Sequence, residues 1–524
     1  MQPTPSTPTL ADIWTALCGL PAQAGRPARR AGGSALPDLS APDLPEREIT
    51  LFVIDSRQAQ EGSCFVALCG EHQDGHDFIS DALERGATAI IAGPRGLRAV
   101  EGRGSEVNVI NTVAIGPKVP SPLPAEQAGL RSAPTVFIVE DSLKGLQQVG
   151  AHWRSQFSPR VVGITGSVGK STSKEMIAAV LRQRYPTLKS PGNLNNEIGL
   201  PLTLLRLRGV HERAVLEMGM YDRGEIAELA AIARPQVGVI TNVGPTHLER
   251  LGTLERIAAA KAELVQALPE DGIAILNSDD PLVRSMAELT SAQVFFYGLT
   301  PGCDLWASHI ASEGLEGIRF RFRRGEDTIH VKVPLLGRHS VHTALRAAAV
   351  GLIEGLSWQE IVSGLRDVSG QLRLLVVPGV RGSTLIDDTY NASPASTIAA
   401  LNLLDDLDGR RIAVLGDMLE LGSFEEAGHR RVGCRAADVV QLLVTVGPRA
   451  RWIGHEALAC GMPEDSVRIV DDNASALIHL RDVMETGDLV LVKGSRGMAM
   501  EQIVAALTRP SPALPWQPGL QEGE

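Results

Sequence analysis

Short apolar runs recur along the chain, each followed by a stretch whose apolar residues fall at helical spacing. In the first part this pattern predicts strands over Thr50–Ile54, Ser63–Leu68, Ala89–Ala92 and Val136–Val139, with a helix over Asp77–Arg85 among them. Strands over Val161–Thr165, Ala214–Met218, Val237–Asn242 and Ile273–Asn277 follow, again alternating with helices. A third series runs through Ser383–Asp387, Arg411–Gly416, Gln441–Val446 and Asp488–Val492. Strand–helix alternation of this kind predicts mostly parallel sheets with helices on both faces, a doubly wound α/β architecture. Two segments interrupt it. Residues Gly25–Pro45 are rich in Pro, Ala and Arg, and 100–134 carry scattered Gly, Pro and Ser, which predicts a loop insertion.

The chain has 524 residues, too many for one core, and about three domains are expected. The pattern places them at 1–145, 146–369 and 370–508, ahead of a Pro-rich tail at 509–524 that is expected to be disordered. A net charge of −11 gives no reason to expect a nucleic-acid backbone as partner, although local basic and backbone N–H sites can still take anions. The six scattered cysteines show neither zinc spacing nor a disulfide framework. With no signal pattern at the N-terminus and no apolar run of membrane-spanning length, a cytoplasmic protein without membrane insertion is expected.

Candidate chemistry begins at residues 163–173, Gly-Ile-Thr-Gly-Ser-Val-Gly-Lys-Ser-Thr-Ser, set between an apolar strand and a helix. Successive glycines let backbone N–H groups over Thr165, Gly166, Ser167, Val168, Gly169 and Thr172 face phosphates. Lys170 can reach terminal phosphoryl oxygens, and the Ser171 hydroxyl can hold Mg²⁺. A standard phosphate loop of this length would need glycine at 164, where Ile164 stands, so the loop is of an offset kind. The strand ending in Glu217 sends a carboxylate to the sheet edge where nucleotides bind. His247 follows another strand end toward the same edge, which favours ligand or catalytic duty. Lys261 lies on a helix predicted over Thr253–Leu268, and its spacing alone reads as an ordinary exposed helical lysine.

Taken together, several ordered motifs resemble the Mur ligases. They are Ile-Asp-Ser-Arg (54–57), Asp-Gly-His-Asp-Phe-Ile (74–79), the offset loop, and Gly-Asn-Leu-Asn-Asn-Glu-Ile-Gly-Leu-Pro (192–201). Asp-Asp-Thr-Tyr-Asn-Ala-Ser-Pro (387–394), Val-Leu-Gly-Asp-Met-Leu-Glu-Leu-Gly (414–422) and Leu-Val-Lys-Gly-Ser-Arg-Gly-Met (491–498) extend the resemblance over nearly the whole chain. It implies a UDP-sugar-binding first domain, a central ATP-binding domain and a Rossmann-like third domain. The implied activity is ATP-dependent amide formation, adding D-alanyl-D-alanine to a UDP-N-acetylmuramoyl-tripeptide through an acyl phosphate in peptidoglycan precursor synthesis. The resemblance also assigns roles. Lys261 corresponds to a lysine used in carbamylated form, which with Glu217, His247 and Ser171 serves two Mg²⁺ ions. Lys170, Lys261, His247 and Arg373 form the catalytic set, Arg373 closing onto the γ-phosphate. Asp388 meets the ATP ribose. Asn195, Asn196 and Glu197 lie near the nucleotide-sugar substrate, Ser56 and Arg57 nearer its UDP part, and Asn391 and Ser495 are candidates for the dipeptide. A hinge near Val368–Gly370 and a monomeric state are expected.

The chain departs from the family pattern at Ser340 and Thr343, where asparagines are usual, the second close to the expected adenine. Two alternatives stand beside this reading. One is the sister ligase that adds meso-diaminopimelate or lysine, whose Asp-Asn-Pro-Arg segment is missing here. The other is a P-loop ATPase switch acting on a protein partner.

Overall fold

A computed structural model describes residues 7–19, 44, 46–70, 73–101, 103, 106–113, 133–246, 248–367 and 375–509. The first sheet holds β1 (Leu51–Val53), β2 (Ser63–Ala67), β3 (Ala89–Ala92), β4 (Asn108–Asn111) and β5 (Thr135–Ile138). Its order is β1-β2-β3-β5-β4, and all neighbours are parallel. β4 falls inside the segment expected to be a loop insertion, so part of that stretch is strand. The helix expected over Asp77–Arg85 is two pieces, a 3-10 turn at Gly75–Phe78 and a helix at Ile79–Glu84, because Asp74 caps the His76 N–H and tightens the first turn.

A second parallel sheet follows, with β6 (Arg160–Thr165), β7 (Thr187–Lys189), β8 (Arg213–Glu217), β9 (Val237–Ile240), β10 (Ile273–Asn277) and β11 (Gln293–Gly298) in the order β11-β10-β9-β6-β8-β7. The chain leaves β6 toward β7 and β8 and then returns to β9 on its other side. The strand order therefore reverses at β6, the position where such sheets bind ligands at their carboxyl edge. Register keeps three strand ends level, Ile164 opposite Glu217 and Thr165 opposite Ile240.

Two glycines decide what lies beneath this edge. A Cβ at Gly163 would come within 2.9 Å of the Leu264 side chain, and one at Gly238 within 3.1 Å of Leu268. Their absence lets the helix Leu254–Gln266 lie close against β6 and β9. Lys261, one turn before Leu264, faces the sheet with it.

Two compact units divide the chain. One is Met1–Asn242, Ala258–Asp304 and Arg346–Leu365, and the other is Val243–Ile257, Leu305–Leu345 and Arg366–Glu524. The second unit contains an antiparallel trio, β12 (Leu305–Ser312), β13 (Ile318–Arg324) and β14 (Asp327–Val333). It also contains β15 (Leu375–Pro378), β16 (Thr384–Asp388), β17 (Arg411–Gly416), β18 (Leu442–Val446), β19 (Val467–Val470) and β20 (Leu489–Lys493), ordered β15-β16-β20-β17-β18-β19. Only β15 runs antiparallel there among the pairings described. Apolar clusters cover both faces of this last sheet, one around Leu401, Val432 and Ile453, the other around Leu480, Ile503 and Leu507. The expected hinge, the tail from 510 and all but Leu44 of Gly25–Pro45 lie outside the described residues.

Candidate active site

The loop after β6 is held in shape by the neighbouring strand end. Asn242 clamps Val168 from both sides, its Oδ1 accepting from the backbone N–H at 2.9 Å and its Nδ2 donating to the carbonyl at 3.0 Å. Thr241 Oγ1 donates to the same carbonyl at 2.7 Å. Gly166 has φ +144°, and a Cβ there would sit 1.8 Å from Thr241 Oγ1, so no other residue fits. Gly169, at φ +84°, is the N-cap of the helix Lys170–Leu181. The loop thus delivers backbone N–H groups and a helix N-terminus to one place, an anion cradle. Lys170 bends over it, its Nζ donating to the Gly166 carbonyl at 2.8 Å.

On the other side, Glu217 is 1% exposed. Its carboxylate accepts from Ser171 Oγ at 2.5 Å and from Asn195 Nδ2 at 2.9 Å. Asn195 is itself pinned, because its carbonyl accepts from the Gly219 N–H at 2.7 Å. Buried Lys174 ties down the same turn by donating to the Gly192 carbonyl at 2.7 Å. A hydroxyl and a buried carboxylate in contact beside a phosphate loop are hard oxygen donors, and they fit Mg²⁺. Among the described residues there is no group of three or more His, Cys, Asp or Glu that could hold a metal.

Lys261 is where the structure departs furthest from spacing. It is 2% exposed rather than an exposed helical residue, and no described residue accepts a hydrogen bond from it. Burial, and then the nearby Lys170 charge, hold its ammonium well below the ordinary lysine pKa. A buried amine kept neutral is a nucleophile.

In the second unit another group of predicted residues meets at the carboxyl edge of β16, β20 and β17. Asp388 and Lys493 are register partners, and Lys493 Nζ pairs with the Asp388 carboxylate at 2.7 Å. The same Nζ donates to the Asn391 carbonyl at 2.8 Å. Ser495 Oγ accepts from the Leu419 N–H at 2.8 Å and donates to the Ala392 carbonyl at 3.5 Å. Lys493, 2% exposed, organises this cluster although sequence reasoning did not single it out. The sequence marked it only as part of the motif at 491–498, a lysine closing an apolar strand.

The structure therefore brings Thr165–Thr172, Glu217, Asn195 and Lys261 together, and separately Asp388, Asn391 and Ser495. Asn196 caps a turn through the Gly199 N–H at 2.9 Å, and the Glu197 carbonyl accepts from Gln147 at 3.3 Å. Ser56 is buried, and Arg57 is exposed and pairs with Asp55 at 2.7 Å; both belong to the first sheet's own turn. Ser340 Oγ donates to the Leu336 carbonyl, and Thr343 is buried. His247 and Arg373 lie outside the described residues. Thr241, Asn242 and Arg346 brace the loop and were missed, because their partners are distant in sequence.

Family models match three parts of the chain. A Mur ligase middle-domain model matches residues 164–351, a Mur ligase glutamate-ligase-domain model 372–496, and a Mur ligase family catalytic-domain model 48–135. A UDP-N-acetylmuramoyl-tripeptide–D-alanyl-D-alanine ligase of Bacillus subtilis is 36% identical, over 90% of this chain and 95% of its own. The Escherichia coli enzyme of the same name is 34% identical, over 90% and 97%. Among solved structures, MurF from Acinetobacter baumannii superposes with a TM-score of 0.73 at 30% identity, covering 88% of this chain and 94% of that one. MurF ligase from Thermotoga maritima in complex with ADP gives 0.71 at 30% identity, covering 87% and 97%. The chain belongs to the Mur ligase family.

Proposed function

We propose that this protein joins D-alanyl-D-alanine to UDP-N-acetylmuramoyl-tripeptide, using ATP and forming the UDP-linked pentapeptide of peptidoglycan synthesis. One observation carries the reading: a glycine cradle and the Ser171–Glu217 pair share one sheet edge, with the buried Lys261 on the helix beneath it and within reach of the Lys170 charge. The chemical difficulty is that a carboxylate is a poor electrophile. Phosphorylation by ATP turns it into an acyl phosphate; the dipeptide amine then attacks the acyl carbon and phosphate leaves.

The residues divide that work. Loop N–H groups and Lys170 bind and align the triphosphate, which phosphoryl transfer requires more than covalent help. Ser171 and Glu217 would hold Mg²⁺, whose chemistry is to neutralise negative charge between carboxylate and triphosphate. The Lys261 amine, once deprotonated, would take up CO₂ with loss of one proton to become a carbamate anion. That anion and His247 would be the further donors for a second ion. Arg373 and Asp388 hold the γ-phosphate and ribose, Asn195, Asn196 and Glu197 the sugar-peptide, Ser56 and Arg57 the UDP end, and Asn391 and Ser495 the dipeptide.

The three sheets serve as the UDP-sugar, ATP and dipeptide domains of a monomer. We place it in the cytoplasm with its water-soluble substrates; no helix among the described residues is long and apolar enough to cross a membrane. The test is phosphate release from ATP with UDP-MurNAc-tripeptide, comparing D-Ala-D-Ala with meso-diaminopimelate, lysine and D-alanine. Release and pentapeptide formation are expected only with the dipeptide. Release that needs no UDP substrate would overturn the reading in favour of an ATPase.

A further inference from the structure

Arg346 is the only charged residue in the apolar run Ala344–Ile353 of the helix Val341–Ile353, and it is 4% exposed. Its Nε donates to Ser173 Oγ at 2.8 Å and its Nη1 to the Tyr297 hydroxyl at 3.2 Å. Ser173 Oγ passes its own proton to the Gly169 carbonyl at 2.6 Å. The Tyr297 hydroxyl is shared between the Ile240 and Thr241 carbonyls, at 3.2 and 3.3 Å. Thr241 in turn holds Val168. A Cβ on Gly169 would come within 3.2 Å of Arg346 Nη2, so the guanidinium packs directly behind the loop.

We propose that Arg346 is a positioning residue for the nucleotide, a buried cation that braces the phosphate loop from behind and biases it toward a polyanion. Two of the hydrogen-bond chains that leave it bear on the loop. One reaches the loop at Gly169, and the other reaches the β9 end that holds Val168, so a single side chain fixes both halves of the cradle. Its charge acts through a low-dielectric interior, where it is felt more strongly than at the surface. A triphosphate in the cradle meets that charge across the loop. Ligand binding and loop order are thereby coupled.

This inference rests on the ATP reading above, and the experiment separates the two. Wild type, Arg346→Met, Arg346→Lys and Tyr297→Phe are compared for KM of each substrate, for kcat, and for the rise in melting temperature caused by ADP. Arg346→Met is expected to raise KM for ATP about tenfold, the scale of one lost charged hydrogen bond, while KM for the UDP-tripeptide stays within about twofold. Arg346→Lys regains part of the loss, because charge survives although the fork geometry does not. Tyr297→Phe raises KM for ATP about threefold by cutting one arm of the brace. Unchanged KM for ATP in Arg346→Met or Tyr297→Phe, or equal rises for both substrates, would overturn the proposal. If Arg346→Met does not fold, Arg346→Lys and Tyr297→Phe decide by the same criterion. Wild type that shows no ADP-induced stabilisation would instead overturn the ATP reading.

Discussion

Lys261 and Lys493 are each 2% exposed, the first on a helix packed against the second sheet and the second closing a strand of the last. Their surroundings are opposite. Lys493 sits between a carboxylate and a carbonyl, Asp388 at 2.7 Å and Asn391 at 2.8 Å, so its ammonium is neutralised and bonded before any ligand arrives. Lys261 has no described hydrogen-bond acceptor and feels Lys170 as a like charge. The first arrangement suits an ammonium that holds loops in place. The second penalises an ammonium and favours a neutral amine open to chemistry. Burial alone therefore says little about a lysine's role; the sign of its neighbours decides it.

The sharpest way to break this contrast is Lys261→Ala. It is expected to lower turnover by about a thousandfold or more, because the second ion loses its anionic donor. Short carboxylic acids should restore part of the rate, and full activity without them would contradict the carbamate assignment. Glu217→Gln comes next. It keeps the shape but removes the charge beside Ser171 and sets an amide against Asn195, so turnover should fall about a hundredfold with a raised Mg²⁺ requirement. Lys493→Met tests the other half of the comparison. It leaves Asp388 largely buried without its cation and should cost about 2 kcal/mol in urea unfolding.

The smallest effect is a pH dependence. The folded Lys261 pKa lies below 10.5, its ordinary value, so between the two the unfolded chain binds more protons and stability rises with pH. Below the lowered folded value the full penalty of a buried ammonium applies, and above 10.5 it vanishes. Unfolding measured at pH 7 and pH 9 should show Lys261→Met flattening that rise.

Much of the fold was legible because parallel strands buried on both faces read as uninterrupted apolar runs. Ala89–Ala92, Ile273–Asn277 and Arg411–Gly416 form with the bounds that the pattern predicts. β13, Ile-Arg-Phe-Arg-Phe-Arg-Arg, was missed because it alternates, one face on the core and one outward. β7 is only three residues long and β4 lies among glycines and serines. The phosphate loop was legible since its chemistry is local: glycines, lysine and serine are neighbours in sequence. The fate of Lys261 was not. Whether its helix lies close enough to bury it depends on Gly163 and Gly238, residues of two other elements. The Arg346 brace likewise joins residues 173, 297 and 346, a coincidence of folding that spacing cannot reveal.

Carbon-13 NMR of the protein equilibrated with labelled bicarbonate tests the contrast between the two lysines most directly. A protein-bound carbamate resonance is predicted in wild type and in Lys493→Met, and its loss in Lys261→Met. A resonance that survives in Lys261→Met, or none in wild type, would contradict the account.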